Sequence, residues 1–298
     1  MKIRKNLLFV LTLAVIVSAG TGIKASANQI STNTSTNTNL TSSTLRNNDL
    51  IAQNHFNSLM ANIHKKNNAK SISTVDEYIN IQNISNDANK PIYKNTKYTK
   101  QEFLQKSNSV LTNSLAAPIS IAQQNSWIKL TLEFDDAGTG KRDVYGFYQW
   151  LTPPILNLDD VVGLGHDSNT VFDFYSSSLD NYGDYKVNGT YYTYHSRMLP
   201  STIASRDFET DGVAYKFKLG NTSYSGSSFA YPGDYEYGMI HVRATPGGSH
   251  SGPIVFTYGH EQVNVNLGMG FSFNGSGSIS FKIGTYYDAF KVANTIHF

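Results

Sequence analysis

The sequence predicts an all-β domain, an antiparallel β-sandwich with an open barrel as the alternative. Three observations carry this. From about Pro118 onward, apolar residues recur at every second position in short runs. Twenty-one of the 23 glycines lie from Gly138 onward and 16 of the 19 tyrosines from Tyr145 onward, so turn formers and strand formers arrive together. No fixed-period repeat is present, which excludes a solenoid or a propeller. Roughly eight to ten strands are expected, and clean alternation favours two packed sheets over closure.

The elements follow in chain order. Residues 1–27 read as a secretory signal peptide: a basic start (Lys2, Arg4, Lys5), an apolar run from Leu7 to about Ala19, and the small-x-small pattern Ala25-Ser26-Ala27. That run is too short to span a bilayer, which takes ~20 residues. Residues 28–117 read as an Asn/Ser/Thr-rich spacer or prosegment, largely disordered or weakly helical. Leu50, Phe56, Leu59 and Ile63 recur at helical spacing, and Thr99-Lys100-Gln101-Glu102 has the form of a capping box. The β domain is expected over 118–298.

Within it, Ile128, Leu130, Leu132 and Phe134 alternate with Lys129, Thr131 and Glu133, a half-buried strand. Asp135–Gly140 supplies a turn, and Val144–Leu151 is apolar on both faces, as in a central strand. Asn188-Gly189 suits a hairpin turn. Asp211-Gly212 precedes another alternating run to Leu219. Ile254–Tyr258, Val263–Phe273 and Ile279–Ile283 read as a three-stranded meander.

Composition excludes several chemistries. The chain has 298 residues and no cysteine, so disulfides, thiolate metal sites and a cysteine nucleophile are absent. The formal charge is +2, but +4 of it lies in the first 27 residues. Residues 28–115 carry +4 and residues 116–298 carry −6, so the β domain lacks the basic footprint of a nucleic-acid binder. Dinucleotide and P-loop fingerprints are missing and no cofactor is expected. No metal site is expected: no H-E-x-x-H or complete EF-hand loop occurs, although Asp135-Asp136 and Asp159-Asp160 offer oxygen ligands. No transmembrane segment is expected in the mature chain.

One string points to acyl chemistry. Pro246-Gly247-Gly248-Ser249-His250-Ser251-Gly252-Pro253 leads into an apolar strand and resembles the nucleophile loop of chymotrypsin-like serine proteases. The resemblance implies Ser249 or Ser251 as nucleophile with a histidine; His166 is the best upstream histidine, and His250 lies in the loop itself. Aligning on Pro253 puts His250 at the nucleophile's place, and aligning on Ser251-Gly252 leaves the proline one residue early. A plain corner loop explains the same residues.

The tyrosines point elsewhere. Tyr192 and Tyr194 on one strand, with Tyr231, Tyr235 and Tyr237, concentrate flat apolar faces with polar tips, which suit a sugar or a protein surface. The leading expectation is therefore a secreted, extracellular bacterial protein without enzymatic activity that recognises a cell-surface glycan or another exported protein. A serine hydrolase using the 246–253 loop and a membrane-active β toxin are the alternatives.

Overall fold

Strand alternation from 128 to 134 places Ile128, Leu130, Leu132 and Phe134 in the main hydrophobic core. In chain order the elements of this computed structural model are α1 (Ser42–Asn67), β1 (Ser71–Asn83), β2 (Tyr93–Tyr98), α2 (Lys100–Asn113), β3 (Asn125–Gly138), β4 (Lys141–Trp150), β5 (Asp159–His166), β6 (Thr170–Val187), β7 (Thr190–Met198), β8 (Arg206–Glu209), β9 (Gly212–Lys218), β10 (Tyr235–Pro246), β11 (Ser251–Glu261), β12 (Phe271–Phe273), β13 (Ile279–Phe281) and β14 (Tyr287–His297). The structure describes residues 42–67, 71–85, 92–113, 125–138, 140–154, 159–187, 190–200, 206–209, 211–219, 235–248, 250–261, 271–273, 279–281 and 287–298. The expected signal peptide lies outside them.

The protein is an antiparallel β-sandwich, open rather than closed. One sheet has seven strands in the order β2-β1-β3-β4-β10-β6-β7, the other five in the order β14-β11-β5-β9-β8. Their inner faces share one core, to which Leu130, Leu132 and Val242 come from the first sheet and Leu164, Tyr215 and Phe256 from the second. Burying each such side chain contributes about 1.5–3 kcal/mol. The sheets approach closely where Gly146 meets Phe256: a β-carbon on Gly146 would stand 2.4 Å from the ring. The β3–β4 turn uses Gly138 and Gly140 at φ of 74° and 73°, a backbone region that favours glycine.

Three expectations need correction. The strands do not begin near residue 118. β1 pairs with β3 from Ser71↔Asp135 to Gln82↔Asn125, so the presumed spacer supplies an interior strand. Its apolar pattern is interrupted by Glu77, which shares a side with Ile79 and Ile81 but pairs with Lys97 of the neighbouring β2 at 3.2 Å. Secondly, β3 is buried on both faces, Lys129, Thr131 and Glu133 included, because α1 lies over its polar side. Thirdly, β11 is not the first strand of a meander. It is hydrogen-bonded between β5 and β14, while β12 and β13 pair with each other in a separate two-stranded sheet. Residues 262–270 lie outside the described chain.

Other local readings match. β4 is central, between β3 and β10. Val187↔Thr190 closes β6 on β7 across two residues. At the start of α2 the Thr99 amide and hydroxyl donate to Glu102 Oε2 at 2.7 and 2.8 Å, and the Glu102 amide donates back to Thr99 Oγ1 at 3.3 Å. That reciprocal pair satisfies amides that a helix leaves unpaired at its start.

Candidate functional site

Among the described residues, most of the buried charge lies on the outer face of the seven-stranded sheet, and helix α1 covers part of that face. Its apolar residues form two patches: Leu45 and Ala52 pack with Tyr78, Phe103 and Trp127, and Phe56 and Met60 pack with Tyr145, Phe147 and Tyr237. Polar pins run between and beyond them. Asn48 donates to the Leu151 carbonyl at 2.6 Å, and the Tyr78 hydroxyl donates to Asp49 at 2.9 Å. Lys129, 1% exposed, donates to Gln53 at 2.9 Å and lies 3.5 Å from Asp49 and 3.4 Å from Asp76. A buried ammonium needs such compensation, since desolvating an ion costs several kcal/mol.

At the C-terminal end of α1, His64 meets two buried carboxylates of β3. Its Nε2 is 3.1 Å from Glu133 Oε1 and 3.1 Å from Asp135 Oδ1. Asp135 Oδ2 is also near, at 2.9 Å, but off the hydrogen-bonding direction, so this buried oxygen makes no hydrogen bond. Burial, reinforced by the Glu133 charge, raises the Asp135 carboxyl to about 6 against the pull of His64. Across the ladder Asp135 faces Asp143. Burial pushes Asp143 up, yet His241 at 2.9 Å and Arg243 at 3.3 Å outweigh it and hold the group below its usual value. His241 is half-buried against Asp143 and stacked on Tyr145.

Beyond the helix, four rings stack in a row. His55 of α1 lies on Tyr237 with centroids 4.1 Å apart, Tyr237 on Tyr182 at 5.0 Å, and Tyr182 on His195 at 4.4 Å. His55 is 3.3 Å from Asp184, and His195 is 2.8 Å from Asp180. The row runs from β10 across β6 to the end strand β7, where the side chains of His195 and Arg197 are 47% and 57% exposed. Sequence reasoning named Tyr237 and offered Asp135 as an oxygen ligand, but missed His55, His64, Tyr182 and the part Glu133 plays, because their partners come from distant segments.

Of the five candidate binding tyrosines, the side chains of Tyr194 and Tyr237 are among those described. Tyr237 is buried beneath α1 and so presents no free face. Tyr194 is half-buried on β7. Tyr192 lies on β7 opposite Tyr185, and Tyr235 on β10 opposite Asp184. Tyr231 is outside the described residues.

The 246–253 loop does not bring Ser251 and His166 into a hydrogen bond. His166 is buried against Phe172; its Nδ1 lies 2.7 Å from the Asp167 carbonyl and its Nε2 makes no hydrogen bond. Ser251 begins β11 opposite His297, three residues from Ile254, the residue facing His166. His250 is exposed, with its carbonyl accepting from the Phe298 amide at 2.9 Å. Ser249 lies outside the described residues. An acid–imidazole pair does exist elsewhere. His260 Nδ1 is 2.9 Å from Asp160 Oδ1, and the Tyr258 hydroxyl donates to Asp160 Oδ2. Both residues are sealed in the core, at 2% and 0% exposure, so no substrate reaches them.

Comparison with known proteins adds little. No protein-family model matches the sequence, and no curated protein does. Among solved structures, the chain is similar to the collagen-binding domain from a Staphylococcus aureus adhesin, at 9% identity, 52% of this chain, 87% of that chain and a TM-score of 0.27. The collagen-binding subdomain of an Enterococcus faecalis surface protein gives 7%, 52%, 87% and 0.26. The Clostridium perfringens NetB toxin in its membrane-inserted form gives 10%, 59%, 91% and 0.19. These scores carry no argument about what this chain binds. Among the described residues no helix is long and apolar enough to cross a membrane, a statement that does not extend to strands.

Proposed function

We propose that the protein is a secreted, non-enzymatic recognition domain whose partner is another exported protein, engaged by strand addition at β7. The carrying observation is the contrast between the two ends of the seven-stranded sheet. β2 at one end holds Lys94 and Lys97, the charged guard that blunts an edge. β7 at the other end runs for nine residues without lysine or proline. The outward backbone groups of such a strand form a template for an extended segment of another chain. Exposed Thr193, His195 and Arg197 lie at alternate positions beside it, favouring a partner strand with carboxylates at every second residue.

The test is capture of extracellular proteins by the wild type and by Tyr194→Pro and His195→Pro. Neighbouring residues send their amides to opposite sides, so one of these prolines removes an outward donor. That variant is expected to keep its melting temperature and lose capture. Undiminished capture by both variants, or none by the wild type, would remove the reading. Enrichment on a glycan array alone would transfer it to a sugar ligand.

A second reading, a membrane-active β protein, is supported by the β12–β13 pair. Its register sets Phe271 opposite Phe281, Phe273 opposite Ile279, and Ser272 opposite Ser280, so apolar positions oppose apolar ones. The same alternation begins in the sequence at Val263, giving an eleven-residue run to Phe273. A strand crossing a bilayer needs ~9–11 residues of this pattern. Dye release from liposomes that Phe271→Asp abolishes is expected; intact vesicles at micromolar protein would exclude it.

A further inference from the structure

We propose that His64, Glu133 and Asp135 form a binding site for one divalent transition-metal cation of the zinc class, which clamps the end of α1 onto β3. Among the described residues this is the one group of three whose nitrogen and oxygen ligand atoms all lie within 4.8 Å of one another. Tetrahedral coordination with bonds of 2.0–2.1 Å sets ligand atoms about 3.3 Å apart. His64 Nε2 already stands 2.9–3.1 Å from the nearest carboxylate oxygens, so a cation enters with shifts of a few tenths of an ångström.

The chemistry of the set favours an ion over a lone proton. One imidazole nitrogen faces three carboxylate oxygens and donates at most one hydrogen. Asp135, fully buried, keeps Oδ2 without a hydrogen bond in this cluster. The neighbouring charges are committed elsewhere: Asp143 is matched by His241 and Arg243, and the Thr74 hydroxyl holds Glu133 Oε2 at 2.7 Å. That last contact leaves Glu133 Oε1 turned to His64, the way an outer partner orients a metal-binding carboxylate. One nitrogen with two carboxylates suits zinc. Calcium takes six to eight oxygens, more than this site offers. His64 keeps 29% of its side chain exposed, which supplies a route of entry.

The test is calorimetric and thermal titration of the metal-free full chain with zinc chloride. Wild type is expected to bind one equivalent and to melt about 5 °C or more higher at zinc a hundredfold above Kd. Hydrogen exchange in the last two turns of α1 should slow. His64→Ala, at a half-exposed position, should fold and lose all three effects. Glu133→Gln should weaken binding at least tenfold. His241→Ala, outside the set, should keep them. Calcium and magnesium should give no shift. Absence of zinc binding by the wild type, or equal binding by His64→Ala, would overturn the site and leave a histidine–carboxylate contact alone. Neither result depends on the β7 reading.

Discussion

His55 of helix α1 stacks on Tyr237 of strand β10, with centroids 4.1 Å apart and planes within 14°. The contact joins a helix from the start of the described chain to a strand almost two hundred residues later. It also explains why Tyr237 is buried. His55 Nδ1 is 3.0 Å from Gln149 Oε1 and its Nε2 3.3 Å from Asp184, so removing the ring loses a stack and two polar contacts together. His55→Ala should cost about 1–3 kcal/mol. Amide exchange should rise across 42–67 while the core strands stay protected. Unchanged exchange in α1 would show that the apolar patches alone hold it.

Lys129 provides a sharper test of the same interface. Its ammonium lies between Asp49 of α1 and Asp76 of β1, and almost none of it reaches solvent. Lys129→Met leaves two acids without their counter-charge and should destabilise by about 3–5 kcal/mol in denaturant unfolding. Adding Asp49→Asn and Asp76→Asn should recover part of that loss. A single variant as stable as wild type would mean the charges are matched from elsewhere.

Gly146 tests the contact between sheets. A methyl there would meet Phe256 Cδ2 at 2.4 Å, well inside van der Waals contact. Gly146→Ala should cost about 1–3 kcal/mol through overpacking, read as a lower melting temperature. The double variant with Phe256→Leu should recover some of it. An unchanged melting temperature in the single variant would mean the ring moves aside freely.

From residue 125 onward β3, β4, β9 and β11 were legible as strands, whereas β5, β8, β10 and β14 were not read. Runs such as 128–134 alternate because one side faces the opposite sheet, and this period is local. β1 was hidden because Glu77 occupies an inward-side position and is compensated by Lys97 on the next strand. The polar face of β3 read as solvent-facing for a related reason. Lys129 and Glu133 are charged, and nothing nearby in sequence announces that Gln53 and His64 will meet them. Asp135 was legible as an oxygen ligand, but its convergence with His64 and Glu133 was not, because the three meet only after α1 docks.

From its own residues the chain determined the period of its strands, the glycine-assisted β3–β4 turn and the Thr99–Glu102 helix start. Each depends on backbone geometry and neighbours a few residues away. The folded molecule decided that β10 lies between β4 and β6, that β11 lies between β5 and β14, and that α1 covers the charged face. Those outcomes rest on burial and charge compensation between segments up to two hundred residues apart, which no local pattern encodes.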